Sequence, residues 1–241
     1  MKKRIIVLFS IFLVHSVFAS PKNYLYTSSG NLKKIESMIM RSDIEGVQVV
    51  YHWQSLEKNK NDYDFSSIES DLNYLNKRHK KLFIQIQDRF FERAAQYVPS
   101  YLMQEAIYHG GLVPQCDNPG EKKPIGYGWA TQQWNTAVRI RYQKLLFMLA
   151  KAFDGKIMGL NLPETAIDID QKHDKTGFSC NKYFNAELDN MAFARHAFKQ
   201  AYVVQYVNFW PCEWDNDHRY MSRLFAFAAK NNIGLGGPDI V

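Results

Sequence analysis

From residue 23 onward, short β-rich runs alternate with longer stretches whose apolar residues recur at helical spacing. That alternation limits the fold more than any other feature, because repeated strand–helix units build a parallel sheet covered by helices. A weak first strand at residues 23–27 precedes a helical stretch at 31–40. Residues 46–52, Gly-Val-Gln-Val-Val-Tyr-His, are a clear strand. Ile68, Leu72 and Leu75 follow at helical spacing, with Ser66 and Ser67 placed to cap the start. Residues 82–87 form the next strand, and a long irregular loop runs from 88 to 133, with a short helix near 100–108. Val138, Tyr142, Leu145, Leu149 and Phe153 mark an amphipathic helix closed at Gly155. A strand at 157–162 leads into a polar loop at 168–183. Leu188, Met191, Ala194 and Phe198 trace the next helix, followed by a strand at 202–208. Met221, Leu224, Phe225 and Ala228 trace another, and residues 233–239 read as a strand running into a tight turn. Six βα units are counted, two short of a closed eight-stranded barrel.

The first residues stand apart from this pattern. Lys2, Lys3 and Arg4 precede an apolar run at 5–14, and Val17-Phe-Ala19 supplies small residues before a cut after Ala19. This is the pattern of a secretory signal peptide, with an uncleaved anchor as the alternative. Residues 20–241 then form one domain of an exported protein, secreted or periplasmic. Loss of the three signal-peptide charges lowers the formal net charge from +6 to +3, too mild to point to nucleic acid. No later stretch is long and apolar enough to span a bilayer. In an oxidising compartment one pair among Cys116, Cys180 and Cys212 can bridge. Cys116 and Cys180 both lie in polar, loop-like sequence and are the expected pair. No cysteine spacing suits a metal, and no cofactor is expected.

Glu164 ends the run Lys-Ile-Met-Gly-Leu-Asn-Leu-Pro-Glu that begins at Lys156. A carboxyl at the end of a buried strand is poorly solvated, which raises its pKa and suits it to deliver a proton. In a barrel or an open α/β sheet, that edge is where ligands bind.

Several phrases then occur in a telling order. Trp53-Gln-Ser-Leu-Glu57 follows the second strand, and Tyr63-Asp-Phe-Ser66 opens the next helix. Val98-Pro-Ser-Tyr-Leu102 follows the third strand, and Trp134-Asn-Thr-Ala-Val-Arg-Ile-Arg-Tyr142 opens the helix before the strand of Glu164. Through residues 46–170 the chain resembles the retaining glycoside hydrolases of the cellulase and β-galactosidase superfamily, clan A, which are TIM-barrel (β/α)8 proteins. Asn208 and the turn Gly236-Gly-Pro-Asp239 extend the likeness. The resemblance implies that Glu164 is the general acid/base and that the substrate is an oligo- or polysaccharide. It also implies a nucleophilic glutamate at the end of a seventh strand, beyond the six units counted, so the barrel reads as incomplete. Pro163 stands where such enzymes usually have Asn, and Asn161 lies three positions before the acid.

Within that reading, Trp53 and Trp210 end strands and are candidate sugar platforms, against the alternative of partly buried core. Gln85, Gln87, Gln205 and Asn208 are polar residues inside apolar strands and need buried partners. A barrel interior facing a polyhydroxyl ligand supplies such partners, and so does a structural hydrogen-bond network. His52, Asn161 and Asp239 complete the candidate sugar contacts, although His52 reads first as an interior histidine. Asp168, Asp170 and His173 read as a solvated loop rather than a metal site. Two alternatives stay open: an inactive or purely carbohydrate-binding protein, and an open six-stranded α/β protein that binds a small exported ligand.

Overall fold

The computed structural model describes residues 21–116 and 126–237. The expected signal peptide and Asp239 lie outside the described residues. Six strands form one sheet: β1 (Asn23–Ser28), β2 (Ile44–His52), β3 (Lys81–Gln87), β4 (Gly159–Leu162), β5 (Tyr202–Tyr206) and β6 (Gly234–Gly236). Their spatial order is their chain order, and every neighbouring pair is parallel. A parallel sheet wound in one direction has no topological switch point. It curls, keeping its crossover helices on one face, as in a (β/α)8 barrel. The described residues hold six consecutive strands of that winding. Among the described residues, β1 and β6 each pair along one side only.

The longer helices are α1 (Ser66–Asn76), α2 (Thr136–Phe153), α3 (Cys180–Ala197) and α4 (Tyr220–Asn231). The α2 start follows from Asn135, whose side chain accepts the N–H groups of Ala137 and Val138 at 2.8 and 3.3 Å. Gly155, at φ +80°, supplies the left-handed residue just past its end. At α1 the serines lie in the first turn and do not cap it. Asp64 does so instead, accepting the Ser66 N–H at 2.9 Å. The third helix begins at Cys180, earlier than its apolar spacing predicts, because Ser179 accepts the Lys182 N–H.

Strand register separates two faces. Val47, Val49, Tyr51, Ile84, Ile86, Leu160, Leu162 and Val203 share the outer face and are buried there. The Tyr51 hydroxyl reaches Asp71 of α1 at 2.8 Å. Each such aliphatic side chain contributes roughly 1.5–3 kcal/mol on burial, so this face drives folding. The inner face carries Val50, Gln85, Asn161 and Val204 in one row, with Gln48, Phe83, Gly159 and Tyr202 in the next. A Cβ at Gly159 would lie 2.3 Å from the Phe83 ring, which needs that space to lie across β4.

The loop at 88–133 holds more order than its sequence suggests. Strands Arg89–Phe90, Gly126–Thr131 and Leu112–Cys116 form a small antiparallel sheet, and Ser100–Gln104 is the expected short helix. Two- to six-residue strands containing Pro114, Gly126 and Gly128 read as loop, because their pairing is set by tertiary contact. The expected bridge between Cys116 and Cys180 is overturned. Cys180 pairs with Cys212, at a Cα separation of 6.1 Å, and Cys116 is free. The loop after β5 folds back onto the start of α3, a proximity that linear spacing does not show. Beside it, Glu213 accepts the N–H groups of Tyr220 and Met221 and so caps α4. Among the described residues, no helix is long and apolar enough to cross a membrane.

Candidate functional site

Glu164 stands two positions past Leu162, the last residue of β4, at the carboxyl edge of the parallel sheet. It lines a cleft of about 220 Å³ together with Asp168, Asn208, Phe91, Cys116 and Phe209. Asn208, from the end of β5, directs its side-chain N–H at the Glu164 Oε2 across 3.4 Å. Tyr26, on the inner face of β1, has its phenol pKa raised by burial and, secondarily, by the charge of Glu164. Asp168 is half-buried, and both its burial and the neighbouring Asp170 raise its carboxyl pKa. Asp170 is held low by His173, whose Nδ1 lies 2.6 Å away on an exposed turn. Among the described residues, no group of three or more His, Cys, Asp or Glu side chains is arranged to hold a metal ion.

Several candidates share the inner face with this edge. Gln48 donates to the Gln85 Oε1 at 2.6 Å, and Gln87 donates to the Arg89 carbonyl at 3.0 Å. The His52 ring stacks on Tyr97 at 4.5 Å, and burial lowers its pKa, which favours the neutral imidazole. Asn161 is buried, and its Oδ1 has no partner among the described residues. That orphan acceptor faces the row shared with Gln85.

Three candidates lie elsewhere. Gln205 pairs in register with Leu162, so strand alternation turns it to the outer, helix-packed face. Its side-chain nitrogen donates to the carbonyls of Pro163 and Tyr206, and its Oε1 is buried with no partner among the described residues. Trp53 is fully buried, donates its indole N–H to Glu57 at 2.9 Å, and packs edge-on against Tyr142. Trp210 is buried among Phe184, Tyr183 and Tyr220. Neither indole has a free face for a sugar. Glu57 also pairs with Arg141, so two of the phrases that carry the family resemblance meet as one buried unit. They brace the scaffold instead of touching a ligand.

A second charged group lies beside the first, at the end of β3. Asp88, the residue after β3, is buried beside Arg89, which bonds it at 2.7 Å. The same guanidinium reaches Glu187 of α3 at 2.7 Å and the Tyr183 hydroxyl at 2.5 Å. Gln133 donates to the other Asp88 oxygen at 2.6 Å. Burial raises the Glu187 pKa to about 7, with Arg89 opposing and Asp88 adding to the rise. The sequence did hold one signal: Glu187 falls on the helix stripe of Tyr183, Met191 and Ala194, where an acid must find a partner.

No protein-family model and no curated protein matches the chain at the level of sequence. Solved structures do match its fold. A GH10 endoxylanase from a sugarcane soil metagenome aligns with a TM-score of 0.53 at 12% identity, covering 90% of this chain and 57% of its own. Xylanase 10B from Thermotoga petrophila, solved with xylobiose, aligns with a TM-score of 0.51 at 7% identity, covering 89% of this chain and 58% of its own. A GH5_18 protein from Bifidobacterium longum, solved with Manβ1-4GlcNAc, gives 0.50 at 12% identity, over 77% of this chain and 42% of its own. The chain thus spans from under half to a little over half the length of these structures. The shared property is the fold, that of the glycoside-hydrolase barrels.

Proposed function

We propose that the protein is an exported glycosidase that cleaves an oligo- or polysaccharide, with Glu164 as general acid/base. The observation that carries this reading is the position of Glu164, at the carboxyl edge of β4, lining a cleft with an amide from β5 beside its carboxyl. A protonated carboxyl there can give its proton to a leaving glycosidic oxygen and, once ionised, can activate water. The barrel winding supports the reading because ligands meet such sheets at this edge. The fold neighbours solved with xylobiose and with Manβ1-4GlcNAc support a short glycan as ligand. Gln85, Gln87, Asn161 and His52 line the inner face below the cleft and are the sugar contacts we favour, with Asn208 beside the acid.

Glycoside cleavage needs a second carboxylate. Among the described residues of the cleft lining, Asp168 is the other carboxyl, and it follows Glu164 on the same loop instead of ending a further strand. That observation favours a second reading, a carbohydrate-binding protein without turnover. Both readings are tested by assaying the mature chain and Glu164→Gln against aryl glycosides and plant, bacterial and fungal polysaccharides. Turnover that falls about 10²-fold or more in the variant supports the acid/base role. Turnover left unchanged overturns it, and glycan binding without turnover in either protein selects the second reading.

A further inference from the structure

We propose that Thr165 is a positioning residue for Glu164, held in place by the buried Arg89–Tyr183 pair. This rests on the reading of Glu164 as the acid, but its test does not require turnover. Thr165 is fully buried, and each of its polar groups is engaged. Its N–H donates to the Tyr206 carbonyl at 3.1 Å, extending the β4–β5 ladder past the end of β4. Its hydroxyl donates to the Phe209 carbonyl at 3.0 Å and accepts the Asn208 N–H, also at 3.0 Å. Its carbonyl accepts the Tyr183 hydroxyl at 2.9 Å.

These bonds fix the backbone on both sides of the acid's neighbour. The hydroxyl has a more specific consequence. By binding the Asn208 N–H it sets where that residue sits, and Asn208 is the residue whose side chain reaches the Glu164 Oε2. One hydroxyl thereby couples the end of β5 to the carboxyl at the end of β4. The carbonyl bond supplies the rest of the hold. The Tyr183 phenol accepts from Arg89 while donating to Thr165, so its single proton has one direction available. Burial raises the phenol pKa well above its ordinary value, which keeps that proton in place. Arg89 is in turn gripped by Asp88 and Glu187. The chain of contacts runs from the end of β3, through α3, to the loop that carries Glu164.

A donor to an ionised carboxylate lowers its pKa, so losing the Asn208 contact should raise that of Glu164. The experiment is a carbon-13 NMR titration of side-chain carboxyls in the mature chain, with Glu164 assigned through Glu164→Gln. In Thr165→Val the Glu164 midpoint is expected to rise by at least about half a unit, while that of Asp170, held by His173, stays fixed. Thr165→Ser, which keeps the hydroxyl, should restore the wild-type midpoint. Tyr183→Phe, which removes one oxygen and leaves the ring packing, should move the midpoint in the same direction. Asn208→Ala should match Thr165→Val, and the double variant should go no further than either alone, as for two residues acting through one contact. A purely structural role would lower the unfolding temperature and leave the Glu164 midpoint where it was. That result in folded Thr165→Val or Tyr183→Phe overturns the proposal, whether or not the protein proves to be a glycosidase.

Discussion

Asp88 and Glu164 occupy equivalent places, each an acid just past the carboxyl end of one of two neighbouring parallel strands. Their surroundings differ. Asp88 is sealed beneath α2 and α3, its oxygens held by Arg89 and Gln133. Glu164 is half-buried and faces a cleft, with Asn208 at 3.4 Å. Position at a strand end therefore does not by itself tell the two acids apart. What separates the two is whether the carboxyl is locked into the interior or presented to an open cleft.

The largest expected effect tests the locked side. Arg89→Met should cost about 3–5 kcal/mol, because it strands two buried carboxyls without their cation. Urea denaturation of residues 20–241 measures it. A loss below about 1 kcal/mol would mean that Asp88 and Glu187 find other partners, and the contrast with Glu164 would shrink.

The next effect is a slope against pH. Burial raises the Glu187 pKa to about 7, Arg89 opposes the rise, and Asp88 and Glu187 repel one another. Asp88, also raised by burial, titrates in the same network, and Tyr142 and Tyr183 face it as neutral phenols. The folded state therefore keeps a proton that the unfolded chain has released above the ordinary carboxylate range. Stability is greatest on the acid side of that window and falls as pH rises toward about 7. The fall should be on the order of 1–3 kcal/mol, and Glu187→Gln should flatten it. Thermal unfolding across the window reads both. An undiminished slope in the variant would move the proton to another group.

The contrast also explains what was legible in the chain. The sheet was readable because its outer face needs aliphatic residues at alternate positions, and 46–52 and 82–87 supply them. Glu164 was readable because it follows an apolar run directly, with Pro163 closing the strand. Asp88 has the same address, but its environment is built by Gln133, Tyr183 and Glu187, all distant in sequence. Gln205 was misplaced for a smaller reason. In Tyr-Val-Val-Gln-Tyr neither parity is clearly apolar, and a one-residue shift moves a side chain to the opposite face. The burial of Trp53 was not legible in its phrase, which does not record that Glu57 and Arg141 close over it. The bridge from Cys180 to Cys212 depends on a loop returning to the start of α3, which no local pattern encodes.

The smallest expected effect is the most discriminating. Glu164→Gln should change stability by no more than about 0.5 kcal/mol, the range of substitutions made outside the sealed interior. The swap keeps the shape of the side chain, and the amide oxygen can still accept from Asn208. The carboxyl it replaces is half-buried and faces the cleft, not sealed in the interior. Urea denaturation beside the Arg89→Met series places the two acids on one scale. If Glu164→Gln instead costs as much as breaking the Arg89 network, then Glu164 holds the fold together as Asp88 does. The cleft would then be a gap beside a structural acid, and an unchanged stability with altered glycan turnover would no longer be available to mark it as a site.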